Sequence, residues 1–195
     1  MRFALGAGGP VCQNRRMKDD IERVLIAEEV IEKRLDLIAQ EIERDFPEGT
    51  LLVIILLKGA LVFAADLLRR VARPLEIECL NVASYHGGTA SSGRVDFLDR
   101  RFPEVRDRHV LLLDDILDTG RTLHAVKERL TEAGAAAVHT GVLLAKDKER
   151  AEEVEVDYTG FRIGDEFVVG YGLDYQGRYR NLPYVGVLKG EIAGV

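Results

Sequence analysis

Residues 110–123, with the sequence VLLLDDILDTGRTL, have types and spacing that suit phosphate chemistry. An apolar run is followed by the adjacent carboxylates Asp114 and Asp115, and Asp118 precedes Thr-Gly-Arg-Thr at the start of a predicted helix. Backbone N–H groups at a helix start and threonine hydroxyls bind phosphate monoesters, whereas carboxylates suit ribose hydroxyls or a metal ion. An ordinary polar turn is the alternative, but carboxylates crowded beside a phosphate cradle repel one another unless a ligand or cation compensates them.

This pattern resembles the signature with which type I phosphoribosyltransferases bind 5-phosphoribosyl 1-pyrophosphate (PRPP): two acidic residues, two aliphatic residues, Asp-Thr-Gly and a threonine. The resemblance implies that Asp114 and Asp115 bind the ribose hydroxyls. It also implies a general-base role for Asp118, which would take a proton from the purine imidazole ring; a turn-forming aspartate is the alternative. Many hypoxanthine-guanine members have Glu-Asp where this chain has Asp-Asp. The residues expected to wrap the 5′-phosphate are Asp118, Thr119, Gly120, Arg121 and Thr122.

A second candidate segment, Leu57-Lys58-Gly59, stands at the end of a predicted buried strand. Glycine lets the backbone approach a ligand closely, and the helix start that follows offers N–H donors. By itself the segment is typical of an ordinary turn between a strand and a helix. The resemblance implies that these residues bind pyrophosphate, together with Arg180.

Residues 166–183, EFVVGYGLDYQGRYRNLP, hold more aromatic, glycine and carboxylate positions than a plain strand does. The resemblance implies that Phe167 stacks on the purine and that the Val168 backbone reads the purine edge. It implies magnesium binding by Asp174, with the acid pair as further possible ligands. Many relatives have lysine where Glu166 stands, which affects the expected purine preference.

Lys146, at the end of a predicted strand, is the residue that the resemblance places beside the purine 6-oxo group. A lysine at a strand end is usually just solvated, which is the alternative. Stacking on an aromatic face tolerates any base, so hydrogen bonds of this kind must supply the base specificity.

Residues 84–95, SYHGGTASSGRV, have the glycine, serine and threonine content of a mobile loop. The segment resembles the flexible catalytic loop of the family: its Ser84-Tyr85 start matches, whereas His86 stands where some relatives have glycine. Such a loop would exclude water, so that the base and not water captures the activated ribose. A surface hairpin loop is the alternative.

Apolar periodicity predicts the elements that position these residues. Strands alternate with helices, which predicts an α/β fold with a mostly parallel sheet and ligands at the carboxyl ends of the strands. The resemblance specifies the type I phosphoribosyltransferase fold, a sheet flanked by helices with a small C-terminal hood. The predicted elements are a helix at 27–46 whose apolar positions include Val30 and Ile31, a strand at 51–57, a helix, a strand from Leu75 to Ser84-Tyr85, a strand at 109–113 that ends on the acid pair, a helix closed by Gly134 and a strand at 138–145.

The 195-residue chain, 47% apolar and 31% charged, is long enough for one well-buried domain, which we predict at 17–195. Residues 1–16 are predicted to be a disordered leader, or an incorrectly assigned start. A net charge of −6 argues against broad nucleic-acid binding. The only cysteines, Cys12 and Cys79, give no disulfide framework, which favours a cytoplasmic location. The longest apolar run, 51–57, is too short to span a membrane.

The resemblance implies a magnesium-dependent enzyme of purine salvage that joins hypoxanthine or guanine to PRPP, giving IMP or GMP and pyrophosphate. It also implies a homodimer or a homotetramer. A xanthine-guanine preference on the same fold is one alternative. A PRPP-sensing regulator that binds RNA is another, and the acidic charge and the complete FVVGYGLDY segment count against it. A catalytically inactive scaffold is disfavoured by the intact acid cluster.

Overall fold

The computed structural model describes residues 17–46, 48–84, 95–152 and 154–194. The predicted leader at 1–16 and the Tyr85-His86 part of the predicted catalytic loop lie outside these residues. The strands are β1 (Ile21–Ile26), β2 (Leu51–Leu57), β3 (Leu75–Ser84), β4 (Val95–Phe97), β5 (His109–Leu117), β6 (Ala137–Lys146), β7 (Tyr158–Ile163), β8 (Val168–Val169) and β9 (Val185–Leu188). The helices are α1 (Glu28–Asp45), α2 (Ala60–Leu68), α3 (Arg121–Glu132) and α4 (Gly190–Ala193). Within the described ranges, no helix has the length and apolar composition that crossing a membrane requires.

The larger sheet has six strands in the order β4-β3-β2-β5-β6-β7, and all but β4 run parallel. The apolar run of β2 lies in its centre, with β3 on one side and β5 on the other. Because side chains alternate between the two faces of a strand, both faces of the run are buried: Val53 packs in the cluster that contains α1 and α2, and Ile54 in the cluster that contains α3. The predicted α/β fold is confirmed. The carboxyl ends of β2, β5 and β6 meet at one edge.

Helix α1 buries one apolar stripe and begins with two acidic residues, Glu28 and Glu29, where the helix dipole favours negative charge. The prediction of a helix at 27–46 is confirmed, because Ala27 and Phe46 are its capping residues. Val30, which the periodicity assigned to the buried stripe, is 49% exposed, whereas Ile31 is fully buried. Each step of one residue along a helix rotates the side-chain direction by about 100°, so Val30, one position before Ile31, lies outside the buried stripe.

Strand β5 is longer than the sequence predicted. The carboxylates of Asp114 and Asp115 were expected to follow the strand, but β5 continues to Leu117. Its parallel pairing with β6 runs on through the acid pair, with Asp114 opposite Val142 and Leu117 opposite Ala145. The apolar pattern ended the predicted strand too early because the neighbouring strand, and not local composition, supplies the backbone hydrogen bonds.

The hood is a three-stranded antiparallel sheet in the order β1-β9-β8. The sequence assigned it to the C-terminal region, and the structure adds β1 from the other end of the described chain. The Tyr179 hydroxyl donates to Asp20 Oδ2 at 2.7 Å, which fastens the segment before β1 to the hood. Strand β1 was not predicted because its sequence, IERVLI, shows no clear alternation of apolar and polar residues, and only the last of its six residues is buried.

Replacing Phe63 on α2 by alanine tests the packing of the helices on the sheet. Phe63 is fully buried, so Phe63→Ala should lower the free energy of unfolding by about 3–5 kcal/mol in urea denaturation. Leu61→Ala on the same helix is the matched control, because Leu61 is 51% exposed, and its loss should stay below about 1 kcal/mol. Equal losses for the two variants would contradict the packing described above.

Candidate functional site

A cavity of about 210 Å³ opens at the carboxyl ends of β2 and β5. The structure brings together most of the residues that the sequence singled out in its first two motifs. Arg121 and Lys58 belong to the same motifs but do not line this cavity. The residues that line it include Leu57, Gly59, Asp114, Asp115, Asp118, Thr119, Gly120 and Thr122.

The turn between β5 and α3 presents backbone donors to this cavity. Gly120 precedes α3 with φ of 81°, a left-handed conformation that glycine adopts without strain. A Cβ atom at Gly120 would lie 2.3 Å from the carbonyl oxygen of Glu152, whose own N–H donates to the Thr119 carbonyl at 3.2 Å. The turn is therefore held in shape by a distant segment. The first N–H groups of α3 have no partner within the helix and suit an anion.

The acid pair is partly buried at the base of the cavity, which it also lines. Loss of hydration raises the pKa of Asp114 well above its ordinary value, and the neighbouring Asp115 carboxylate raises it further. Loss of hydration also raises the pKa of Asp115, whereas its hydrogen bond with Asp114, the Ile116 N–H and, least of all, the charge of Arg180 lower it. Two adjacent, partly buried carboxylates repel each other when both are ionised, so this part of the cavity favours a cation or hydroxyl donors.

Gly59 fits between the acid pair and the hood. A Cβ atom on Gly59 would lie 1.6 Å from Asp115 Oδ2, so a larger residue there requires the Asp115 carboxylate to move. On its other side, a Cβ atom on Gly172 would lie 2.2 Å from the Gly59 carbonyl oxygen. The peptide bond between Leu57 and Lys58 is cis. The turn after β2, the end of β5 and a hood segment therefore converge on one glycine.

Arg180 and Asp174 form an ion pair in the hood. Their atoms Nη2 and Oδ1 are 2.7 Å apart, and Arg180 Nη1 donates to the Gly172 carbonyl at 2.7 Å. The second oxygen of Asp174 accepts the Gly177 N–H at 2.7 Å. Each carboxylate oxygen has two lone pairs, so both retain capacity for another ligand. Among the described residues, no group of three or more histidine, cysteine or carboxylate side chains gathers as a ready metal site.

The residues expected around a purine lie where the hood meets the sheet. Phe167 is 40% exposed, and its ring meets that of Tyr175 edge to face at 5.5 Å. Val168 is buried, and its backbone pairs with Val187 of β9. The Lys146 ammonium lies 3.0 Å from Asp165 Oδ1, and only 12% of its side chain is exposed.

Glu166, where many relatives have lysine, is paired within the hood. Its Oε1 atom lies 2.9 Å from Arg23 Nη2 on β1. The pKa of Glu166 is lowered first by its own backbone N–H and then by Arg23, with a smaller contribution from the charge of Lys146. The Glu166 carboxylate, just before Phe167, is therefore paired with the hood strand β1 and is not a free anion.

Lys148 and Asp165 were not selected from the sequence. Lys148 contacts Asp118 and lies 3.0 Å from Asp165, so both residues belong to the surroundings of the site. The only sequence signal was their place just after the carboxyl ends of β6 and β7, where ligands of parallel sheets bind. Ser84 ends β3 at the same edge, and its predicted partner Tyr85 lies outside the described residues.

The relatives found by comparison with known proteins agree with this fold and this site. Residues 22–176 match the model of the phosphoribosyl transferase domain. The chain is 40% identical over 176 residues to the hypoxanthine-guanine phosphoribosyltransferase of Streptococcus pneumoniae, covering 90% of this chain and 98% of that one. The Bacillus subtilis enzyme of the same name is 42% identical over 173 residues, covering 89% and 96%. A crystal structure of a hypoxanthine phosphoribosyltransferase from Staphylococcus aureus has a TM-score of 0.86 and 38% identity, covering 91% and 96%. The chain belongs to the phosphoribosyl transferase domain family.

Removing the charge of Asp114 should stabilise the fold in a pH-dependent way. A carboxyl group whose pKa is raised by folding retains its proton in the native state while the unfolded chain, with a pKa of about 3.9, has released it. The contribution of Asp114 to the stability of the wild type therefore falls as pH rises above about 4. Asp114→Asn should unfold at higher urea concentration than the wild type at pH 7, and the difference should shrink at pH 4.

The control for this prediction is Asp19→Asn, because Asp19 is exposed and lies away from the cavity. Its difference from the wild type should be small and should not change with pH in the same direction. A destabilised Asp114→Asn variant at pH 7 would contradict the account of the acid pair.

Proposed function

We propose that this chain transfers the phosphoribosyl group of PRPP to hypoxanthine or guanine, giving IMP or GMP and pyrophosphate. The observation that carries the proposal is the single cavity that joins the turn before α3, the partly buried acid pair and Gly59. PRPP carries a phosphate, a ribose and a pyrophosphate in that order. The turn before α3, the acid pair and Gly59 follow one another in the same order. The names of the relatives support a purine as the acceptor.

In this proposal the 5′-phosphate is bound by Asp118, Thr119, Gly120, Arg121 and Thr122, with N–H donors from the start of α3. The ribose hydroxyls donate to the acid pair, which relieves the repulsion between its two carboxylates. The pyrophosphate lies against Leu57, Lys58 and Gly59. Arg180 is near the same turn because it donates to the carbonyl of Gly172, which packs on Gly59.

Magnesium fits the chemistry of these residues. Asp114 and Asp115 have raised pKa values that a cation would offset, and the oxygens of Asp174 retain free lone pairs. Asp174 would hold the ion, with the remaining oxygen ligands supplied by PRPP, and Asp114 and Asp115 are further candidate ligands, although the three carboxylates do not gather as one metal site in the described part of the chain. When bound, magnesium supplies positive charge that stabilises the leaving pyrophosphate.

The purine would stack on the exposed face of Phe167, beside the edge formed by the Val168 backbone. Lys146 would donate to the 6-oxo group, and an aminopurine such as adenine would instead bring an N–H donor against this ammonium. A buried donor left without an acceptor costs about 1–3 kcal/mol, which gives the site a basis for rejecting adenine.

The reaction displaces pyrophosphate from the ribose by a purine ring nitrogen. Asp118 takes the proton from the imidazole ring as the general base, while positive charge develops on the ribose near the acid pair. Negative charge on the departing pyrophosphate is stabilised by Lys58 and Arg180. Asp118, the acid pair and Lys58 follow strand ends on one edge of the sheet and Arg180 extends from the hood, which keeps the reacting groups close together.

An ultraviolet assay with PRPP and magnesium tests the proposal, offering hypoxanthine, guanine, xanthine and adenine separately. Hypoxanthine and guanine should be converted and adenine should not. Asp118→Asn should lose about 10²-fold to 10⁴-fold in rate because it lacks the general base, whereas Asp19→Asn should retain wild-type rate. Faster use of xanthine would change the assigned base, and PRPP binding without turnover of any purine would reject the enzyme and favour the RNA-binding regulator.

Gly59→Ala should weaken PRPP binding by at least about tenfold in calorimetric titration, because the added methyl group collides with Asp115. Gly49→Ala is the control. Gly59 has φ of −62°, whereas Gly49 has φ of 78°, and nothing lies within 4 Å of a Cβ atom added at Gly49, so this variant should lose some stability and retain PRPP affinity. Unchanged affinity in Gly59→Ala would place PRPP elsewhere.

A further inference from the structure

Lys148 links the proposed general base to the proposed purine reader through a chain of four charged side chains. Its ammonium contacts Asp118 Oδ1 and lies 3.0 Å from Asp165 Oδ1. The same Asp165 oxygen lies 3.0 Å from the Lys146 ammonium. Positive and negative charges thus alternate from Asp118 through Lys148 and Asp165 to Lys146, and the two pairs neutralise each other.

The contact between Lys148 and Asp118 determines which oxygen of Asp118 is available. Oδ1 of Asp118 is closed to solvent, although the side chain as a whole is 36% exposed and lines the cavity. The reachable part of the carboxylate is therefore on the Oδ2 side. An ammonium on one oxygen restrains rotation of the carboxylate and leaves Oδ2 as the oxygen that a ligand in the cavity can reach.

The backbone that carries Lys148 is anchored on both sides. Arg150 Nη2 donates to the Lys146 carbonyl at 3.0 Å, and the Glu152 N–H donates to Thr119 beside Asp118 at 3.2 Å. Lys148 is only 29% exposed, which is low for a lysine on a connection between strands. The Asp118 carboxylate, followed by that of Asp165, raises the pKa of Lys148, so its ammonium remains charged near neutral pH.

We propose that Lys148 is a positioning residue for the transfer reaction, holding Asp118 by Oδ1 so that Oδ2 meets the purine imidazole proton. The inference rests on the function proposed above and assigns a role to a residue outside the two phosphate motifs. In the reaction the purine N–H bond breaks and the proton passes to Oδ2. The other ring nitrogen bonds to the ribose carbon as pyrophosphate leaves with the electron pair of the broken C–O bond. Lys148 keeps its own proton throughout.

An ordinary surface ion pair is the competing explanation, and it would contribute at most about 1 kcal/mol to stability. A residue that acts through Asp118 differs from a surface ion pair in one respect. Its removal should slow the reaction only while Asp118 can act as a base. A double-mutant cycle separates the two cases.

The experiment compares wild type, Lys148→Met, Asp118→Asn and the double variant by single-turnover kinetics with hypoxanthine, PRPP and magnesium. Enzyme in excess isolates the chemical step from product release. Lys148→Met should lower the single-turnover rate about tenfold in the wild-type background and less than about twofold in the Asp118→Asn background. Its PRPP affinity and urea midpoint should remain close to wild type.

Two further variants complete the design. Lys148→Arg keeps a cation within reach and should retain the rate to within about threefold. Lys33→Met removes an exposed lysine from α1 and should leave the rate unchanged. An unchanged rate in Lys148→Met, or the same loss in both backgrounds, would overturn the inference while leaving the proposed function intact. A wild type that converts no purine would overturn both.

Discussion

Partial burial of two adjacent carboxylates at the end of β5 is the constraint on which the rest of the site depends. Removing charge from water is unfavourable, and two neighbouring negative charges add repulsion, so the pair persists only where the surrounding structure holds it. Strand β5 has neighbours on both sides and apolar clusters on both faces, which leaves Asp114 and Asp115 no route away from the cavity. Gly59 then closes the space beside Asp115. The apolar core therefore stabilises a site that is unfavourable by itself.

Contacts between the hood and the sheet determine where the positive charge lies. Gly172 packs directly on Gly59, and Arg180 donates to the Gly172 carbonyl, so the guanidinium is positioned relative to the acid pair by a backbone contact. The Tyr171 hydroxyl donates to Asp66 of α2 at 2.6 Å and joins the hood to the helix layer. A shift of the hood would thus move Arg180 away from Asp115 and increase the repulsion within the acid pair.

Three cations around the site are paired with carboxylates in this structure. Arg180 is paired with Asp174, Lys146 with Asp165, and Lys148 with Asp118. A charged ligand therefore binds by exchange, because each new contact replaces or shares an existing ion pair. Exchange of this kind favours ligands whose charges match several positions at once, which suits PRPP with its two separated phosphate groups.

The sequence by itself determined the chemistry and much of the fold of this chain. The apolar run of β2, the helical periodicity of α1 and α3, and the acid pair beside Asp-Thr-Gly are local patterns, and each predicted its element and its ligand class. Tertiary structure decided the length of β5, the entry of β1 into the hood, and the contacts of Lys148 and Gly172. These depend on partners distant in the sequence: β6 supplies the hydrogen bonds of β5, and Asp118 and Gly59 meet residues from separate strands. No local pattern encodes such pairings, because they form only when the sheet brings its strand ends together.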